Sequence, residues 1–337
     1  MLAAVFAGPG KLELQQRRKP VVQSDDDVLV EVEACGICGT DLHILDVPPR
    51  HPATEGVILG HEYIGTVVDA GDAVASLTPG DRVAIAPNIA CDRCRYCRAG
   101  LVNHCESFTT LGIFRDGGLT RYNLAPEKAC FPIRKSLPWE EAVWTEVLSC
   151  VVNSVENVRA QPGETAVVIG GGPVGALHAL LFQAAGARAA VCDIQKPRLD
   201  CLRRIGFEKT FHSGAESFPN EFREAFPHGA DIVVDAVGTQ LPQCIELARV
   251  GGRISLFGMN SQALPPTPQN SITRKELTVF GSYIGVHTFP KAIRILENDV
   301  IRPSVLISTS VPLQNAESAF AALRGGEIMK AVIQPGA

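Results

Sequence analysis

The chain has 337 residues, 31 Lys+Arg against 36 Asp+Glu, a net charge of -5 and 46% hydrophobic residues. At roughly 100–200 residues per domain the length predicts two domains, and the apolar fraction excludes a disordered chain. The mild acidity and the scattered lysines and arginines argue against nucleic acid as a partner.

The opening MLAAVFAGPG has no basic stretch before an apolar one. It predicts no secretory signal and a cytoplasmic protein. The 11 cysteines are then expected as reduced thiols, and a cluster of them suggests metal rather than disulfides. The first 150 residues read as short strands, at 28–32, 64–68 and 82–85, separated by turns such as Pro79-Gly80-Asp81. Residues 86–110 are rich in Cys, Arg and Asn, and read as a loop that needs a staple.

From about residue 161 the rhythm changes. Strands at 166–169, 189–192, 232–237 and 254–257 alternate with helices at 174–185, 198–204 and 243–249. That alternation indicates a parallel sheet with crossover helices. A further strand is expected at 277–280, then helices at 291–298 and 316–323. Residues 165–187 carry no charge and are long enough to span a bilayer. Gly170, Gly171, Gly172 and Pro173 interrupt them, so a strand, a glycine turn and a buried helix are expected, and no membrane.

Three groups of residues carry chemistry. Cys91, Cys94, Cys97 and Cys105 have the spacing C-x2-C-x2-C-x7-C. Four thiolates suit a closed, structural zinc site. Ordinary cysteines and an iron–sulfur cluster are the alternatives. Cys38, Thr40, Asp41 and His43 lie in one run, and His61-Glu62 follow in another. One thiolate and one imidazole, with carboxylates nearby, suit a catalytic zinc with mixed ligands. Finally, the segment at 165–169 is followed by Gly170-x-Gly172-x-x-Gly175, with Pro173 and Val174 opening a helix. In that context the glycines allow a tight turn and close approach of a pyrophosphate to the helix N-terminus. Asp193 then ends the second strand, where a carboxylate accepts from the adenosine ribose and repels a 2′-phosphate. NAD is therefore expected over NADP, although Arg198 stands close by.

Gly60-His61-Glu62, with Gly65, Gly71 and Val74 spaced after it, resembles the zinc signature of the medium-chain dehydrogenase/reductase family. The Cys38–His43 run, the four-cysteine loop and the glycine turn match the same family in the same order. The resemblance covers essentially the whole chain. It implies an α/β protein: a GroES-like, β-rich catalytic domain at 1–150 and 285–337, around a Rossmann NAD-binding domain at 151–284. It also implies two zinc ions per chain. Cys38 and His61 would ligate the catalytic one, with Glu62 a ligand or an outer residue. A further ligand is implied shortly before the glycine turn. Glu146 and Cys150 both lie there, and the family spacing and the string Glu146-Val147-Leu148-Ser149 favour Glu146. Arg198 would contact the ribose, and Phe257-Gly258 the nicotinamide side. Thr40 would accept the alcohol proton and pass it through the cofactor ribose to His43.

The implied activity is oxidation of a secondary alcohol, a polyol or sugar, to a ketone with NAD. A threonine-type amino-alcohol dehydrogenase is the alternative. A zinc-free quinone reductase-like or structural relative is more remote. Arg115 is weighed as a contact for an anionic substrate group against a solvated loop arginine. A homodimer or homotetramer is expected by the same resemblance.

Overall fold

A computed structural model describes residues 1–336. The chain divides into two compact units. One comprises Met1–Ser149 and the segment from Gly285 onward, and the other Cys150–Ile284. The division falls inside the helix Thr145–Val158.

The first unit is built on a seven-stranded sheet. Its spine is Asp27–Gly36, which pairs antiparallel with Glu62–Ala70, Tyr122–Pro126 and Ala331–Gln334. Val28, Val30 and Val32 of the spine are buried in a core with Tyr63, Leu59 and Ile85. Ala331–Gln334 also pairs in parallel with Thr309–Pro312. The strand register sets Gly36 against Glu62 and Cys35 against Tyr63. The segments that hold Cys38 and His61 therefore leave the sheet at one end of the same pair.

The 86–110 segment has little core of its own, as its composition predicts. It contains a two-residue strand pair, a helical turn at Arg95–Arg98 and a 3-10 turn at Val102–His104. A short helix, Gly39–Ile44, was not expected from the sequence. Its cap explains it: the Cys38 amide donates to Asp41 Oδ2 at 2.8 Å.

The second unit is a six-stranded parallel sheet. Its order is Thr210–His212, Arg188–Asp193, Thr165–Ile169, Ala230–Asp235, Ala248–Leu256 and Thr278–Gly281. In chain order this is 3-2-1-4-5-6, the doubly wound arrangement whose ligands bind at the carboxyl ends where strand order reverses. Val167, Ile169, Val233 and Ile254 are buried in its core. Phe211, Phe218, Phe222 and Phe226 form an aromatic cluster at one end, with neighbouring ring centroids 5.0–6.2 Å apart.

Several boundaries differ from expectation, the strand expected at 254–257 already beginning at Ala248, and two others show their cause. The strand expected to reach 237 stops at Asp235. Its carboxylate accepts the amides of Val237, Gly238 and Gln240 at 2.7–2.8 Å, which turns the chain. The helix expected over 243–249 is Leu241–Leu247, and Ala248 already begins a strand. Lys275 Nζ donates to the carbonyls of Ile245, Glu246 and Ala248, closing that helix from outside it. The uncharged 165–187 stretch is a strand, a turn and the helix Pro173–Ala184. Among the described residues no helix is long and apolar enough to cross a membrane.

Candidate metal centres and nucleotide site

Cys91, Cys94, Cys97 and Cys105 bring their sulfurs within 4.8 Å of one another. The Cys94 and Cys97 sulfurs lie 3.5 Å apart. A tetrahedron with Zn–S bonds of ~2.3 Å has edges of about 3.8 Å, so the spacing fits. Backbone amides point at the sulfurs: Cys91 N–H donates to Cys105 Sγ at 3.2 Å, and Ser107 N–H to the same atom at 3.3 Å. Amides of Cys97 and Glu106 pull the Cys94 thiol down to about 6. That favours the thiolate form a metal requires at Cys94, while burial, then Cys94 itself, push the Cys97 thiol up to about 12.

The second cluster is Cys38, His61 and Glu62, whose ligand atoms also lie within 4.8 Å of one another. Cys38 caps the short helix, and His61 and Glu62 sit at the start of the Glu62–Ala70 strand. His61 and Glu62 are buried. Asp41, fully buried, holds both segments. It accepts from the Cys38 amide, and its Oδ1 stands 3.4 Å from His61 Nδ1. Neither Oδ1 nor Nδ1 finds a closer partner, so each answers the other. Nε2 is then the imidazole nitrogen left for a metal. Burial pushes the Cys38 thiol up, and the Glu62 charge adds to this. Burial pulls His61 down, but the Asp41 and Cys38 charges outweigh it and raise it well above 6.5. A half-buried thiol crowded against a buried imidazole and a buried carboxylate is a donor set that a divalent cation satisfies.

Glu146, buried in the first turn of its helix, stands outside this close group. Thr40 and His43 lie on the helix that Cys38 caps, both half-buried. Burial, then Arg50, lowers the His43 pKa below 6.5. Cys35 is buried against apolar neighbours, and Cys150 is buried too. Arg115 is exposed and lines a surface pocket with Arg17, Arg18 and Tyr122.

Sequence reading missed Lys330. Its ammonium pairs with Glu62 Oε2, donates to the Ile37 carbonyl at 3.1 Å, and stands 5.2 Å from the Trp144 ring centre. All of it is buried. It lies 268 residues from Glu62 along the chain, and nothing local marks it. The only hint is a lysine standing directly ahead of the apolar run Ala331-Val332-Ile333. His51 was also missed. It bonds Pro52 O at 2.8 Å and lies close enough for His61 and Asp41 to act on its charge.

In the second unit the glycine turn follows Thr165–Ile169 directly. Gly170 has φ +105°, in the region open to glycine. A Cβ on Gly175 would stand 1.8 Å from the Gly170 carbonyl, so the turn closes only over hydrogen. Gly172 caps the helix, and Pro173 and Val174 are its first two residues. Asp193 is buried at the end of its strand. It accepts from the Gly171 amide at 2.6 Å and the Gln195 amide at 2.7 Å, and Arg198 Nη1 stands 3.6 Å away. The amides of Phe257 and Gly258 both donate to Asp235 O, which fixes the end of the next strand but one.

Two family models match the chain: the alcohol dehydrogenase GroES-like domain over residues 24–135 and the zinc-binding dehydrogenase model over 173–298. D-xylulose reductase A of Aspergillus niger is 33% identical, over 98% of this chain and 96% of that protein. D-arabinitol dehydrogenase 1 of Uromyces fabae is 30% identical, over 99% and 97%. A solved structure from Sinorhizobium meliloti 1021, described as a zinc-binding dehydrogenase bound to NADP, is 31% identical. It matches with a TM-score of 0.92 over 99% of both chains. With its fold, its cysteine lobe and its whole length matched in this way, the chain belongs to the zinc-containing medium-chain dehydrogenase/reductase family.

Proposed function

We propose that this enzyme oxidises a secondary alcohol of a polyol or sugar to the ketone, with NAD preferred over NADP. The observation that carries the reading is the close Cys38–His61–Glu62 group, with His61 and Glu62 buried and Asp41 behind them. The named activities of the A. niger and U. fabae relatives support the substrate class. The NADP in the S. meliloti structure belongs to that protein. Here the Asp193 carboxylate at the strand end supports NAD, because it repels a 2′-phosphate.

We assign one zinc to Cys38 and His61, with Glu62 or Glu146 as a further ligand. A second zinc belongs to the four-cysteine lobe. When bound, the first would supply Lewis acidity toward the alcohol oxygen, and a nicotinamide cofactor would supply the hydride acceptor. Asp41 orients His61 and keeps its ligating nitrogen inward. Lys330 offsets the Glu62 charge. Thr40 takes the alcohol proton on its hydroxyl, and His43 delivers it to solvent. Its lowered pKa keeps His43 neutral, and so able to accept, at neutral pH. Gly170, Gly172, Pro173, Val174 and Gly175 hold the pyrophosphate, Asp193 and Arg198 the ribose, and Phe257 and Gly258 the nicotinamide side. Residues 1–150 with 285–337 form the catalytic domain and 151–284 the cofactor domain. The strand Thr278–Gly281 lies at a sheet edge, which suits pairing of two copies into a dimer or tetramer. None of the 11 cysteines is joined in a disulfide, which suits the cytoplasm.

Metal analysis and a substrate panel test this together. The purified protein is expected to hold about two zinc per chain. It is expected to reduce NAD with polyols faster than with threonine or simple alcohols. A metal-free protein, full activity after chelation, or a flat response across the panel would sink the proposal.

A further inference from the structure

A chain of buried polar side chains crosses the second unit, meeting the residues assigned above only at the Val174 carbonyl and the Phe257 ring. His178 lies one turn into the glycine-turn helix and is fully buried. Its Nδ1 stands 2.9 Å from the Val174 carbonyl, and its Nε2 2.9 Å from Ser154 Oγ. Ser154 Oγ is 2.8 Å from Ser255 Oγ, which is 3.3 Å from Ser282 Oγ. Asn157 Nδ2 stands 3.4 Å beyond. Ser154 and Ser255 are also fully buried.

The proton positions follow by elimination. A carbonyl only accepts, so Nδ1 carries the ring proton and Nε2 has a lone pair. Ser154 must donate to it. Each hydroxyl has one proton, so Ser255 donates to Ser154 and Ser282 to Ser255. The Asn157 amide donates to Ser282. The chain thus has one polarity from end to end, and every imidazole nitrogen is satisfied. An apolar core would be simpler to build. Burial pushes the imidazole down to about 4, which shows how poorly the site tolerates a charged ring.

The chain's placement suggests its use. Val174 is the second residue of the helix that opens on the glycine turn. Ser255 precedes Phe257 by two residues, at the carboxyl end of its strand. Ser282 follows the next strand, and its amide donates to Leu256 O at 2.9 Å. The Phe257 ring packs edge-on against His178, with centroids 4.9 Å apart and planes at 82°. One imidazole therefore ties the pyrophosphate turn to the strand end that carries Phe257.

We propose that His178, held by Ser154, Ser255 and Ser282, is a positioning residue for the dinucleotide: it fixes Phe257 relative to the glycine turn, so that both ends of the cofactor meet a site of set spacing. This rests on the assignment of the glycine turn to a dinucleotide.

The test measures NADH affinity by nicotinamide fluorescence on the zinc-loaded full chain, with NADPH titrated in parallel. His178→Leu removes the acceptor, Ser154→Ala removes its donor, and His178→Gln keeps an acceptor for the Ser154 hydroxyl. His178→Leu is expected to weaken NADH binding about tenfold, and Ser154→Ala about threefold, on the scale of one unmade buried hydrogen bond. His178→Gln is expected to recover most of the loss. Zinc content, and KM for the alcohol at saturating cofactor, should stay at the wild-type value. Equal loss in the Leu and Gln variants, or NADH binding within about twofold of wild type in both His178→Leu and Ser154→Ala, would overturn the proposal. If His178→Leu fails to fold, Ser154→Ala decides alone. If the wild-type chain binds neither dinucleotide, the cofactor assignment falls and the proposal with it, an outcome distinct from a loss confined to the variants.

Discussion

Glu62 has no water to turn to, so Lys330 is what makes its charge tolerable. Lys330→Met strands that carboxylate, and removing one partner of a buried ion pair costs about 3–5 kcal/mol. Urea unfolding should show that loss, and Glu62→Gln combined with Lys330→Met should recover part of it. Cys38→Ser should abolish turnover and remove about one zinc per chain, with the thermal midpoint near the wild-type value. Asp193→Ser removes the carboxylate proposed to repel a 2′-phosphate. It should shift the NAD-to-NADP ratio of kcat/KM about tenfold toward NADP. Some of these residues are legible in the sequence and others are not, for one physical reason. The four cysteines announce themselves because a metal can gather ligands from one short loop. Lys330 and His178 are single ordinary residues whose partners come from other segments. Nothing in the Lys330 neighbourhood says that Glu62 will be opposite.

Among the elements, the glycine turn is the most constrained. Gly175→Ala places a methyl into the Gly170 carbonyl, and the helix must move away. NADH binding should drop by at least about a hundredfold in a titration, because the amides proposed to hold the pyrophosphate move with the helix. The existence of most strands and helices in the second unit was readable, since runs of apolar residues and glycine punctuation carry that signal. Their ends were less readable. The strand before Val237 stops because an aspartate folds back on the next amides. The helix before Ala248 stops because a lysine nearly thirty residues later takes its last carbonyls. Such stops are set by side chains outside the periodic pattern. The same holds for Gly39–Ile44, too short for periodicity and held by one cap.

For the whole molecule, buried His178 predicts how stability follows pH. Its folded pKa lies near 4, below the ordinary 6.5, so the unfolded chain binds the extra proton first. Its contribution is fully present above 6.5 and falls as pH drops toward 4. Thermal or urea unfolding between those values should lose about 1.4 kcal/mol per pH unit from this group. The His178→Leu variant should lack that slope. The discontinuous first unit follows from family resemblance rather than from any local pattern, because no periodicity says that a strand at residue 331 returns to one at residue 27. That return has a consequence in time. The ribosome delivers the Asp27–Gly36 strand and Glu62 early, then the entire second unit, and Lys330 with its strand near the end. At about 5–20 residues per second, the 268 residues between Glu62 and Lys330 take on the order of ten seconds to a minute. Through that interval the nascent spine keeps an open edge and Glu62 lacks its cation. The second unit, contiguous in the chain, has all six of its strands while the first still waits.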